Sequence, residues 1–328
     1  SRRDGVTLKL QDDSGIVQEV IAGELNFVEL SRPQFAYTWS VVDTCQACNG
    51  DGIAQRGEEI TLWVDVSNVG TGKAIDAFGS IRNASDSNIF IEKGRFKLGE
   101  IPPGETKSAR FQLEIKKSYK ADDFGLNLAI IDEPLQEFIA DKLIVPVGAT
   151  ADADSAFAAS RSPVLLPAKT EIFASADGSR SIAVLQKEAI VGEISANSSM
   201  IKIEIDKERT GFVKKSAVRS GKGEKRASLM KDLSFHAWRS PATISTNIDP
   251  TTGGAVVDQE KFTLSSTITS TKLLDTFVLV NDQKVYFRSR TAEDADRMKF
   301  STEFALKEGN NVITIVAREN QDFATRKS

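Results

Sequence analysis

A chain of 328 residues with 40% hydrophobic content is long enough to bury two or three separate cores. Its net charge of −4 supplies no basic field of the kind nucleic-acid binding needs, and no stretch approaches the ~20 apolar residues that span a bilayer. No basic start is followed by an apolar core as in a signal peptide, and a first residue of Ser1 rather than Met points to a processed product or an excised piece.

Residues 1–33 carry an alternating run at Val6, Leu8 and Leu10, a turn at Asp12-Asp13-Ser14-Gly15, and short strands over 16–21 and 25–30. They read as the end of a preceding β domain or as extra strands. Large residues on alternate positions of 35–43 (FAYTWSVVD) form a further strand, which leads into the loop 44–59, TCQACNGDGIAQRGEE. Beyond it Ile60, Leu62, Val64 and Val66 alternate with Thr61, Trp63, Asp65 and Ser67, the period of a half-buried strand.

Strands follow over 77–82, 90–98, 108–115, 126–132 and 143–147, separated by turns such as Pro102-Pro103-Gly104-Glu105. Regular spacing without helical periods predicts an immunoglobulin-like β-sandwich over 34–147. Residues 148–162, rich in Ala, Ser and Asp, read as a linker. Five short strands within 163–219 predict a small barrel, residues 220–239 a basic linker, and 240–328 a second immunoglobulin-like β-sandwich with a hairpin at Asn281-Asp282. The fold class expected is therefore all-β.

The loop 44–59 concentrates the unusual chemistry. Cys45 and Cys48 suit a local disulfide or a reduced thiol pair. A thioredoxin-like pair would need a helix start beside a βαβ pattern, and zinc would need about four ligands where the only further candidate is His236. A disulfide is the expectation, and it calls for an oxidising compartment such as a periplasm. Asn49-Gly50-Asp51-Gly52 invites a calcium reading, because a hard cation wants several oxygens gathered by a glycine-permitted turn. Set on a twelve-residue calcium loop, Asn49, Asp51, Gly52 and Glu58 fall at the third, fifth, sixth and twelfth positions. Ala47 falls at the first and cannot ligate, so Asp43 or a carbonyl would have to replace it. The candidate metal ligands are Asp43, Asn49, Asp51 and Glu58, with calcium the candidate cofactor; the other reading is a loop closed by Asx turns.

No catalytic constellation is legible. His236, the one histidine, has no Gly-x-Ser-x-Gly elbow to serve and reads as a packing or surface residue. The basic run of Lys214, Lys215, Arg219, Lys222, Lys225, Arg226 and Lys231 lacks interleaved aromatics; it suits a solvated linker, or an anionic partner such as cell-wall polymer or lipid headgroups.

The segments FAYTWSVVD at 35–43, NGDGIAQRGEEITLWVDVSNVGTGKA at 49–74 and IFIEKGRFKLGEIPPGETKSARFQLEI at 89–115 resemble, in that order, a region of large C-terminal processing (tail-specific) serine peptidases of the myxobacterial and Bdellovibrio type. The resembling region lies downstream of the family's catalytic part. Residues 163–219, with Thr210-Gly211-Phe212-Val213, look like a bacterial Src-homology-3-like barrel, and 240–320 like the immunoglobulin-like modules of bacterial surface proteins. The resemblance implies an accessory region whose serine–lysine catalytic pair lies upstream, in a periplasmic or cell-surface protein. Its partners would be a protein or peptide substrate, the peptidase portion of the same parent, or the cell wall. A free-standing adhesion or cell-wall-binding protein is the alternative.

Overall fold

The computed structural model describes residues 2–11, 17–27, 31–43, 45, 48–148, 158–159, 162–248, 260–309, 311–321 and 323–327. The expected turn at Asp12–Gly15, Ala47 and most of the 148–162 linker lie outside them. The protein is all-β and divides into two compact units, one of Arg32–Ser240 and one of Ser1–Ser31 with Pro241–Ser328. No helix among the described residues is long and apolar enough to cross a membrane.

Arg32–Ser240 begins as a sandwich. One sheet orders its strands Phe35–Asp43, Glu59–Asn68, Thr106–Ile115 and Ile89–Lys93. The other orders Ala54–Gln55, Glu137–Gly148, Asp123–Asp132, Ala74–Asn83 and Arg95–Ile101. Leu62, Val64, Phe111 and Leu113 from the first sheet and Ile81, Leu126, Leu128 and Ile130 from the second are all buried. The sheets close to contact at Gly79, where an added Cβ would stand 3.0 Å from the Phe111 ring. Two-sided apolar faces of this kind drive the stacking of antiparallel sheets.

The second part of the same unit is a strongly curled sheet. Its path runs Arg219–Ser220, Pro163–Leu166, Ala189–Ala196, Met200–Asp206, Arg209–Lys214, Glu171–Phe173, Ser181–Leu185 and Leu233–Phe235, with Ala158–Ala159 paired to Ala189–Ala196. It encloses Leu166, Ile172, Ile182, Val191, Ile203 and Val213. The segment expected to be a basic linker is folded into this barrel. Leu229 is completely buried in its core, Leu233–Phe235 pairs with Ser181–Leu185, and Arg226 forms an ion pair with Asp232. Three apolar residues among many charges are enough to fasten the segment, while its lysines stay in water.

The chain leaves this unit where it joined it. Tyr37 N–H donates to the Arg239 carbonyl at 3.0 Å, and Arg239 and Trp238 N–H both donate to the Tyr37 carbonyl. The Asp141 carboxylate accepts from Tyr37 Oη at 2.7 Å and from Arg239 Nε at 2.9 Å.

The other unit holds the hairpin Arg2–Gln11/Val17–Phe27, in which one continuous strand runs from the first of the two strands expected over 16–21 and 25–30 into the second; residues 16 and 28–30 lie outside the described residues. It also holds a second two-sheet module. There Thr243–Thr246, Lys261–Thr269 and Arg297–Ala305 form one sheet, and Gln283–Ser289, Asp275–Val280, Ile313–Arg318 and Ala324–Lys327 the other. Leu264, Ile268, Met298, Val278 and Ile315 fill the space between them. The hairpin at Asn281 and Asp282 has positive φ at both residues (48° and 66°), the backbone a two-residue type I′ turn demands.

Candidate functional site

The strand Glu59–Asn68, expected to be half-buried, is buried on both faces: Thr61, Trp63 and Asp65 are as covered as Ile60, Leu62 and Val64. The cause is the barrel, which packs on the sheet's outer side. Arg209, at the start of its strand, reaches across and forks onto Asp65, with Nη1 to Oδ1 at 2.5 Å and Nη2 to Oδ2 at 2.7 Å. Both side chains are fully buried. Ser108 Oγ donates to Asp65 at 2.6 Å and Arg209 Nη2 to Ser40 Oγ at 3.3 Å, so most of the pair's hydrogen-bonding capacity is met. The guanidinium lies between the Trp63 and Phe235 rings, 5.4 Å from each centroid. Arg180 of the barrel makes a second such contact, 4.2 Å from the Trp39 ring and 5.5 Å from Trp238. Burial lowers the Arg180 pKa to about 10, with the nearby charge of Asp177 opposing the shift.

The third contact is the loop itself. Cys45 and Cys48 form a disulfide. Gly50 and Gly52 take positive φ (76° and 75°), which turns the backbone onto the barrel. The Asp51 carbonyl accepts from Ala176 N–H at 2.8 Å and the Gly50 carbonyl from Lys202 Nζ at 2.7 Å. A Cβ on Gly52 would stand 2.6 Å from the Ala174 carbonyl oxygen.

Inside the loop the four candidate ligands do different work. Asn49 is exposed; its side chain accepts from Asp51 N–H and donates to Asp51 Oδ2 and Gln55 Oε1. Asp51 is buried and saturated by the loop, accepting from Ile53 N–H at 2.8 Å and from Gln55 Nε2 at 3.2 Å. Asp43 and Glu58 come together instead. A carboxylate oxygen of each and Cys48 Sγ all lie within 4.8 Å of one another. The disulfide takes that sulfur out of the donor set and leaves the two acids. Asp43 Oδ1 accepts from Gly52 N–H at 3.0 Å and Glu58 Oε2 from Gln55 N–H at 2.9 Å. Asp43 Oδ2 is buried and has no hydrogen-bond partner among the described residues.

Two ionised carboxylates at this separation repel by roughly 3 kcal/mol at an effective dielectric of ~20. Burial, and then the charge of Asp43, push the Glu58 carboxyl up to about 7; burial followed by Asp43 raises Asp51 in the same direction. Burial lowers the Lys202 ammonium, against the pull of Asp43 and Asp51.

The four acidic and amide candidates are legible in the sequence; Lys202 and Arg209 are not, because they reach the loop and sheet from a distant part of the chain, and neither is the role of Asp65, which depends on Arg209. One signal was present. Trp63 stands among Thr61, Asp65 and Ser67, on the face that would otherwise meet water, while Trp39 pairs with Val64 on the other, and bulky aromatics on both faces of a sheet mark one that is covered twice. His236 is exposed, with its backbone N–H on the Ile182 carbonyl. The basic run is exposed from Lys222 to Ser228.

No protein-family model matches the chain, and no curated protein matches it. Among solved structures, dimeric latent PorU from Porphyromonas gingivalis aligns with 89% of this chain and 33% of its own length, at 9% identity and a TM-score of 0.20. The chain thus spans about a third of that protein's length, and a likeness this weak carries no argument about fold or task.

Proposed function

We propose that this chain is a non-catalytic accessory region of a cell-envelope serine peptidase of the tail-specific type, and that it positions a protein or peptide substrate, the peptidase portion of its own parent, or the cell wall. The supporting observation is the fully buried Asp65–Arg209 fork, which joins sandwich and barrel within one compact unit. A binding surface on such a unit keeps a set direction relative to the strands that carry it, which a positioning element requires. The disulfide suits an oxidising envelope compartment. The motifs at 35–43, 49–74 and 89–115 support the link to the peptidase family. The catalytic serine and lysine belong, on this reading, to an upstream domain.

A free-standing adhesion or cell-wall-binding protein is the second reading, favoured by the exposed lysines Lys214, Lys215, Lys222 and Lys225 on the barrel, which suit an anionic wall polymer. The parent reading frame separates the two. Upstream PDZ and peptidase segments support the first reading, and a signal peptide directly before Ser1 the second. Hydrolysis of casein by the purified chain alone would refute both.

A further inference from the structure

We propose that Asp43 and Glu58 bind one divalent cation of the calcium type, and that this ion fastens the 48–58 loop to the barrel. The inference is independent of the peptidase reading.

The loop holds a surplus of buried negative charge. Asp43, Asp51 and Glu58 are all nine-tenths buried, and Lys202, which reaches the loop from the barrel, gives its hydrogen bond to the Gly50 carbonyl. Asp51 has its oxygens engaged by Asn49, Gln55 and Ile53. Asp43 does not: its Oδ2 is buried without a donor, in a carboxylate whose partner across the gap is another carboxylate. The Asp43 carboxylate thus has one buried, orphaned oxygen and lies with an oxygen within 4.8 Å of a second acid; a cation between the two would satisfy both, where no donor among the described residues does.

The donor set selects the ion. The nearby sulfur is oxidised and the acids are hard oxygen ligands, which suit calcium over zinc or copper; the loop is held by turns and hydrogen bonds rather than by an octahedral cage, which suits calcium over magnesium. Gly52 links the ion to the docking contact. Its N–H binds Asp43 Oδ1, while the next carbonyl back in the chain, that of Asp51, accepts from Ala176 of the barrel. Drawing Asp43 and Glu58 together therefore holds the backbone that touches the barrel.

The test is calorimetric titration of the chelator-treated full chain with calcium chloride, together with melting curves in chelator and in ~1 mM calcium. An extracellular-type affinity of ~0.1 mM would raise the melting temperature by roughly 3–6 °C. Asp43→Asn and Glu58→Gln relieve the repulsion, so both should melt no lower than the wild type in chelator yet lose the calcium response. Asp122→Asn, at a fully exposed acid, should respond as the wild type does. The proposal is overturned if the wild type shows neither heat nor shift up to ~10 mM calcium, or if both variants keep the wild-type response. Should a variant fail to fold, the wild-type titration decides alone. An equal shift with magnesium in place of calcium would overturn the assignment of the ion.

Discussion

Deleting one partner of the Asp65–Arg209 fork should harm the protein far more than deleting both. Asp65→Ala leaves a guanidinium that cannot shed its proton, fully buried and facing no anion. Breaking a buried pair from one side costs roughly 3–5 kcal/mol, which for a unit of about 200 residues lowers the melting temperature by roughly 6–20 °C. Asp65→Leu combined with Arg209→Met removes both desolvation costs and keeps the volume, so it should fall within about 1–2 kcal/mol of the wild type or exceed it. The readout is built in, because Trp39, Trp63 and Trp238 are the protein's three tryptophans and all three meet Arg180 or Arg209 of the barrel. Urea unfolding followed by tryptophan fluorescence therefore reports the junction, and circular dichroism the strands. Fluorescence that changes ahead of dichroism in Asp65→Ala would mean that the barrel undocks before it unfolds. A loss below ~1 kcal/mol for the single variant, or a double variant worse than the single, would refute the reasoning.

Three further outcomes are expected. In chelator, the wild type should lose stability relative to Glu58→Gln as pH rises from about 4.5 to about 7: a carboxyl raised to about 7 in the folded state favours folding while protonated and loses that contribution through this window. A flat difference from urea midpoints across this range would contradict it. Replacing Cys45 and Cys48 together by Ser should cost at most about 2 kcal/mol, since the bond closes so short a loop; equilibrium unfolding with and without reductant checks the value, and a larger loss would mean that the bond does more than close the loop. Gly52→Ala should cost clearly more than Gly104→Ala, because both have positive φ but only Gly52 faces a barrel carbonyl at 2.6 Å; equal urea midpoints for the two variants would argue against the docking contact.

Strand periodicity and turn chemistry carried the all-β class and most strands, because both are local. What stayed hidden depended on partners far along the chain. Ala324–Lys327 has little apolar pattern and is a strand because Ile313–Arg318 offers it an edge. Residues 220–239 read as a linker because charge outweighs Leu229, Leu233 and Phe235, although those three residues decide where the segment lies. In the loop, spacing on a twelve-residue calcium pattern makes Glu58 a candidate ligand, and the want of a ligand at Ala47 brings in Asp43. Spacing could not show that Asn49 and Asp51 would be consumed by the loop's own hydrogen bonds, nor that Asp43 Oδ2 would be left over. Asp65 looked like an ordinary solvent-facing acid until its partner, 144 residues away, was placed beside it.

The antiparallel bridge between Tyr37 and Arg239 has a mechanical consequence. Because the backbone crosses itself there, the whole of the sandwich and barrel is a closed excursion that adds almost nothing to the chain's reach. Tension applied through Arg32 and Ser240 would load those few hydrogen bonds and the Asp141 carboxylate, together with the Gly72 and Val69 N–H bonds onto the Arg32 and Gln34 carbonyls, before it met the core. Stretched in this way, the unit would act as a fuse: short while the bridge holds, and able to release a long reserve of chain when it opens.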